Sequence, residues 1–271
     1  MSESDWTPAQ VAELYDSSCQ MSTIFNDGYE HLGYWYDDKD DASVEEAGKR
    51  LTRKVVDILG LRRGEHMLDA GCGVGAPATQ IAREVGARIT GVTISPAECE
   101  AAEKRAAKEG LFHRVRFQVR DYHDLPYGDD HFDAVMAMEA LSHSVDLAKA
   151  LSEFYRVLKP GGRVAITETT MVHPDAQLPP FFRSRRPMTA DGWLEVLRTA
   201  GFVIEEWTQC GQRVYGMGNR YVERVEELRE ELVAEFGAEF VDTVKQGQQE
   251  MFAPGPDHMG YLILCARKPA S

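Results

Sequence analysis

The sequence predicts an α/β fold, a mostly parallel sheet whose strands are joined by helices. Three observations predict it. Strand-like apolar runs alternate with runs of helical periodicity along the chain. One strand runs directly into a glycine-rich turn and a helix, His66-Met-Leu-Asp-Ala-Gly-Cys-Gly-Val-Gly75. The chain has 271 residues and 43% hydrophobic content, enough for one large α/β domain with insertions.

The elements follow in order. Residues 1–60 read as an N-terminal helical arm or lid. In it Val11, Leu14, Tyr15 and Ser18 fit one short helix face, and Glu30-His31-Leu32-Gly33-Tyr34-Trp35 forms an aromatic-rich segment. Ser43-Val-Glu-Glu46 is a capping box that starts a helix reaching about Leu59, with Leu51, Val55, Ile58 and Leu59 turned inward. A core follows over 61–210. Its strands are Met67–Asp69, Arg88–Ile94, Val115–Arg120, Phe132–Met138, Arg163–Thr169 and Phe202–Thr208. Its helices cover Ala76–Val85, Ser95–Glu109, about Val145–Leu158 and Thr189–Thr199. Ser95-Pro96 is an N-cap with proline at the first helical position. Lys159-Pro-Gly-Gly162 is a strong helix breaker. An irregular insertion lies at about 171–188. The polar stretch 211–258 reads as a helical cap over the active site. In it Val225, Leu228, Leu232 and Phe236 mark one face of a long helix, continued past Gly237 by Phe240 and Val244. The last strand, Tyr261–Ala266, lies in the final segment 259–271.

Composition excludes several classes. The formal charge of −14 argues against nucleic acid, whose phosphates it would repel. No apolar run approaches the ~18 residues of a membrane span. The polar, acidic first residues predict no secretory signal. The five cysteines, at 19, 72, 99, 210 and 265, are scattered and include no Cys-x-x-Cys. That predicts a reduced, cytoplasmic setting without structural zinc or disulfides.

The glycine turn selects the ligand class. Glycine supplies the tight bend and lets a ligand approach the backbone, and the following helix offers unpaired N–H groups. A phosphate-binding P-loop needs Lys-Ser or Lys-Thr after its last glycine, where this chain has Ala76-Pro77. Asp69, just ahead of the turn, would repel a pyrophosphate and suits a cofactor with a cationic amino group. Ligands of parallel sheets sit at the carboxyl ends of the strands. The informative residues there are Asp69, Gly71 and Gly73, then Thr93, Ile94 and Ser95, then Asp121 and Tyr122, then Met138, Glu139, Ser142 and His143, then Glu168. Asp121 can accept from an exocyclic amine while the Tyr122 ring packs beside it. Strand two ends without the ribose-gripping acid of dinucleotide sites, and no carboxylate follows until Glu98.

Asp69-x-Gly-x-Gly-x-Gly75 resembles motif I of the class I S-adenosylmethionine-dependent methyltransferases. The wider pattern resembles the rebeccamycin-type sugar O-methyltransferases of natural-product biosynthesis. Its pieces are Tyr15-Asp16, His31-x-Gly-Tyr-Trp35, Gly91-x-x-Ile-Ser95, Asp121, Asp124-Leu-Pro126, Phe132-Asp-Ala-Val135, Glu139, His143, Arg156-Val-Leu-Lys-Pro-Gly-Gly162 and Gly260-Tyr-x-x-x-x-Ala-Arg-Lys-Pro269. The resemblance implies a Rossmann-like sheet of seven strands with the last antiparallel. It implies S-adenosyl-L-methionine as cofactor, S-adenosyl-L-homocysteine as product, no metal, and a small-molecule acceptor. The cofactor residues it implies are Tyr15, Tyr34, Asp69, Gly71, Gly73, Thr93, Ile94, Ser95, Glu98, Asp121, Tyr122 and Met138. Where relatives carry a His-His pair this chain has Ser142-His143, so His143 is the implied general base. Glu168 stands where they carry a supporting Asp, and a carboxylate beside a histidine orients the ring and raises its basicity. Glu139 is the third implied catalytic residue, shared with C-methylating relatives. Two rival readings stay open. One is C-methylation of an electron-rich ring, a carbanion or a prenyl diphosphate. The other is a methyltransferase-like protein that holds the cofactor structurally. Arg183, Arg185 and Arg186 form a basic knot, either solvated or a receptor for an anionic substrate group. Oligomeric state, a homo-oligomer included, stays open.

Overall fold

The computed structural model describes residues 7, 20–175, 178, 182 and 187–270. Tyr15, the predicted helix face from Val11 to Ser18, and Arg183, Arg185 and Arg186 lie outside the described residues.

The arm supplies α1 (20–26) and α2 (Val44–Leu59). Ser43 caps α2 by accepting from the Glu46 N–H, and Gly60 ends it in the left-handed region. Leu51, Val55 and Leu59 of α2 are buried against the sheet. Each such side chain contributes about 1.5–3 kcal/mol of burial free energy. Seven strands follow: β1 (His66–Ala70), β2 (Arg88–Thr93), β3 (Val115–Val119), β4 (Phe132–Met138), β5 (Leu158–Met171), β6 (Val203–Gln209) and β7 (Met259–Arg267). The core helices are α3 (Ala76–Glu84), α4 (Pro96–Lys108), α5 (Leu147–Val157) and α6 (Ala190–Thr199). The sheet order is β3-β2-β1-β4-β5-β7-β6. The β1–β2, β1–β4, β2–β3 and β4–β5 pairs are parallel, and β7 runs antiparallel to both β5 and β6. This is the expected mostly parallel sheet with an antiparallel last strand. β1 and β4 lie at its centre, and their apolar residues fill one core on each face of the sheet.

Two expectations need correction. Lys159-Pro-Gly-Gly162 does end α5, but no loop follows. β5 begins at once with Leu158 opposite Phe132, and the proline and glycines sit in a register irregularity before Arg163 pairs with Ala134. The expected long helix of the cap is three helices, α8 (Asn219–Glu227), α9 (Arg229–Phe236) and α10 (Ala238–Phe252), after a short α7 (Gly211–Val214). The breaks fall at Leu228 and at Gly237, which has φ +83°. Breaking the axis lets α10 fold back against α8.

The helical insertion is fastened to the arm. The Gly33 N–H donates to the Tyr221 hydroxyl at 2.6 Å, and the Trp35 N–H donates to the Arg213 carbonyl. The Tyr221 ring meets Phe25, Trp35 and Phe252. Among the described residues no helix is long and apolar enough to cross a membrane. The described cysteines are free and buried.

Candidate functional site

The carboxyl ends of β1 to β4 open onto one cleft. Its walls are Gly71 and Gly73 after β1, and Thr93, Ile94 and Glu98 at the end of β2. Asp121, Tyr122 and His123 follow β3. Met138, Glu139, Ala140, His143 and Val145 follow β4, and Glu30 and His31 come from the arm. It spans about 890 Å³, its open mouth included.

The cofactor end fits the group the resemblance implies. Gly71, Gly73 and Gly75 all have positive φ, which only glycine adopts without strain. A Cβ at Gly71 would stand 2.6 Å from the Ala140 Cβ, and one at Gly73 would stand 1.8 Å from the Glu30 Oε2. α3 begins at this turn with no side-chain cap, so its N–H groups remain for a ligand or the arm. Beneath the turn, Asp69 is buried and its Oδ2 has no hydrogen-bond partner among the described residues. Burial pushes its pKa up to about 7. A buried carboxylate of this kind is relieved by a cation nearby.

At the end of β2, the chain supplies an acid from an unexpected direction. Glu98 lies in the first turn of α4 and reaches back to Thr93, whose hydroxyl donates to its Oε2 at 2.5 Å. The acid absent from the strand is thus restored from the following helix. Ser95 is fully buried as the N-cap of α4, accepting from the Glu98 N–H. It positions Glu98 and is not part of the wall, which corrects its expected place as a direct ligand contact.

After β3, Asp121 is held by His123. The Asp121 Oδ1 accepts from the His123 backbone N–H at 2.9 Å and meets its Nδ1 at 2.5 Å. That bond to His123 holds the Asp121 carboxyl below the usual carboxylate range. The other ring nitrogen of His123 meets the Ser144 Oγ at 2.8 Å. The Tyr122 hydroxyl donates to the Ala140 carbonyl. Both bonds tie the end of β3 to the turn that carries His143.

After β4 the chain turns sharply. Glu139 has φ +51°, a strained value for a residue with a side chain. Its Oε1 accepts from the Leu32 N–H at 2.6 Å and from the Tyr261 hydroxyl at 2.7 Å, joining the arm and β7 to the site. The turn Leu141–His143 then sets His143 on the wall. Glu168 lies beneath this turn. Its Oε1 accepts from the backbone N–H groups of Leu141 and Ser142 at 2.8 and 3.0 Å. Glu168 therefore anchors the turn beneath His143. Tyr34 also departs from expectation: it lies off the cleft wall, with Lys54 4.2 Å from its ring centroid.

The wall residues the sequence reading missed as ligand contacts are Glu30, His31, His123, Ala140 and Val145. His31 opens the His31-x-Gly-Tyr-Trp35 piece of the resemblance. Its ring meets the Leu32 carbonyl and the Thr52 hydroxyl, and burial lowers its pKa to about 4. It is neutral at physiological pH and braces the arm on α2. The Asp-x-His spacing at 121–123 was the one available signal for the Asp121–His123 bond.

Burial raises four carboxyls of this region: Asp69 and Glu139 to about 7, Glu168 to about 8, the last also through Glu139, and Glu30 above its ordinary range. Their folded values exceed the ordinary 3.8 of aspartate and 4.5 of glutamate. The folded state therefore holds more protons between those limits, and stability falls as pH rises from about 4 to about 8. Melting curves of the ligand-free protein across that range should show the decline. Glu168→Gln keeps an acceptor for both backbone N–H groups and should flatten it.

A family described as a methyltransferase domain matches residues 68–166. The chain is 34% identical over 272 residues to the 27-O-demethylrifamycin SV methyltransferase of Amycolatopsis mediterranei (strain S699), spanning 97% of this chain and 98% of that one. It is 37% identical over 213 residues to an O-methyltransferase of Penicillium expansum, spanning 77% of each. Among solved structures it is similar to the [4+2]-cyclase SpnF, with a TM-score of 0.85 and 33% identity over 98% of this chain and 97% of that one.

Proposed function

The chain belongs to the class I S-adenosylmethionine-dependent methyltransferases, and we propose that it methylates a hydroxyl group of a small secondary metabolite. The observation that carries this reading is the position of His143. It stands on the same cleft wall as the glycine turn, Glu98 and Asp121, beyond the cofactor end and next to Glu139. Relatives named as O-methyltransferases support the hydroxyl as acceptor.

The cofactor supplies an electrophilic methyl group on a sulfonium. The residues of this chain bind, orient and remove a proton. Asp121 and Tyr122 receive the adenine, through an accepting carboxylate and an adjacent ring. Glu98, braced by Thr93, grips the ribose hydroxyls, with Ile94 and Met138 as apolar neighbours. Gly71 and Gly73 let the amino-acid part lie against the backbone above Asp69. The His143 imidazole takes the acceptor's hydroxyl proton as general base. Glu168 holds the backbone of the turn that carries the imidazole. The arm adds Glu30 and His31 to the wall, and holding two reactants in a dry site supplies much of the rate.

Glu98→Ala should weaken S-adenosylhomocysteine binding by about 10–100-fold, the scale of charge-assisted hydrogen bonds. Glu98→Gln should retain most of the affinity, since an amide still bonds a diol. Calorimetric titration of both variants checks this.

The reading is tested by incubating the protein with methyl-labelled S-adenosylmethionine and a panel of hydroxylated metabolites. A methyl ether in the mass and NMR spectra is the expected product. A C–CH₃ product would instead make Glu139 the acting residue. A second reading has the likeness to a [4+2]-cyclase in its favour: the cofactor would then serve as a structural ligand. Retained cofactor with no S-adenosylhomocysteine formed from any acceptor would support that reading.

A further inference from the structure

The cleft wall has an unusual charge. Glu30, Glu98, Asp121 and Glu139 line it, and no lysine or arginine does among the described residues. The sheet order spreads these acids along the cleft. Asp121 follows β3 at one end, Glu98 stands at β2, and Glu139 with His143 follows β4. Between them, over the turn after β1, lies Glu30, the acid that comes from the arm.

Its placement is specific. The Glu30 carboxylate lies so close to Gly73 that a Cβ there would stand 1.8 Å from its Oε2. It accepts from the Val74 N–H of the turn and from the Ser22 hydroxyl of α1. Its neighbour Asp27 is paired with Arg105 of α4, and Gly28 is packed on Val74, so the arm is fixed on the turn by its backbone. The side chain is thereby aimed into the cleft at the one strand end that carries no other wall carboxylate.

We propose that Glu30 reads the amino-acid end of the bound cofactor, its carboxylate pairing with the α-ammonium group. The inference rests on the reading of this cleft as an S-adenosylmethionine site. A ligand with its adenine at β3 and its ribose at β2 has its amino-acid chain over the β1 turn, where Glu30 waits. The acceptor is then left to the β4 side. The pairing also gives the arm a way to sense the cofactor. Glu30 is carried on the same segment as Leu32, whose N–H holds Glu139.

The test compares two ligands on the full chain. S-adenosylhomocysteine carries the ammonium group, and 5′-deoxy-5′-methylthioadenosine lacks the whole amino-acid end. Glu30→Gln should weaken the first by about 10-fold or more, the scale of a lost charge-assisted bond. Its affinity for the second should stay as in the parent. Unchanged or tighter binding of S-adenosylhomocysteine would overturn the proposal, and so would an equal loss for both ligands, which would mark Glu30 as a brace of the turn. Should the glutamine variant fail to fold, Glu30→Asp keeps the charge with a shorter reach and is read by the same ratio. If the parent protein binds neither ligand, the cofactor reading itself fails, an outcome distinct from a failure of the Glu30 assignment.

Discussion

His143→Ala lowers kcat by about 10²–10⁴-fold, the contribution of one well-placed general base. Its affinity for S-adenosylhomocysteine stays within about twofold of the parent, because the residue acts on the acceptor. The two effects separate because His143 lies on the β4 side of the cleft, past the turn held by Glu168. Loss of kcat with a matching loss of kcat/KM is the signature of a group used only in the transition state. Steady-state rates at saturating cofactor and acceptor, with a calorimetric titration of the same preparation, read both effects. Unchanged turnover would move the base role elsewhere, first to Glu139.

Gly71→Val has the second large effect, and it falls on binding. The position has φ +83°, where a β-branched residue is strained by about 1–3 kcal/mol. The new Cβ would also lie 2.6 Å from the Ala140 Cβ, with two methyl groups still to place. Either the turn or Ala140 must move, and both line the cleft. Affinity for S-adenosylhomocysteine should fall at least about 10-fold, and the melting temperature by roughly 2–10 °C. Titration and thermal melting of one preparation measure the pair. A valine variant that binds like the parent would remove the glycine turn from the cofactor site.

Most of the fold was legible because its boundaries carry local chemistry. Ser43, Ser95 and Thr189 cap helices where the sequence placed them, each accepting from an N–H three residues on. The glycine turn fixed the step from β1 to α3. The insertion was harder. Its apolar spacing runs unbroken from Val225 to Val244, so periodicity alone describes one helix. The break at Leu228 has no glycine or proline to announce it, and Gly237 reads as a tolerated interruption. Both breaks are set by the packing of α8 and α10 on each other and by the hold of Tyr221 on the arm.

The site divides in the same way. Thr93, Ile94, Asp121, Tyr122, Met138, Glu139 and His143 were legible because they follow strand ends of a parallel sheet, where topology alone puts them on one edge. Glu98 was legible as an acid but not as the partner of Thr93, since that bond depends on the angle of α4. Glu30 was invisible as a site residue. It lies far ahead of the glycine turn in sequence, and only the fold of the arm sets it over Gly73. Glu168 was legible as a carboxylate near the site, but its bonds to the Leu141 and Ser142 N–H groups depend on how the turn after β4 lies over β5, which no sequence pattern announces.

An acidic cleft on a side-chain-free turn is shaped for a sulfonium donor with an adenosine tail. Calorimetric titration of the purified protein with S-adenosylhomocysteine, paired with thermal melting, tests it most directly. One-to-one saturable heat and a raised melting temperature are the results this account predicts. No heat and an unmoved melting curve would contradict it.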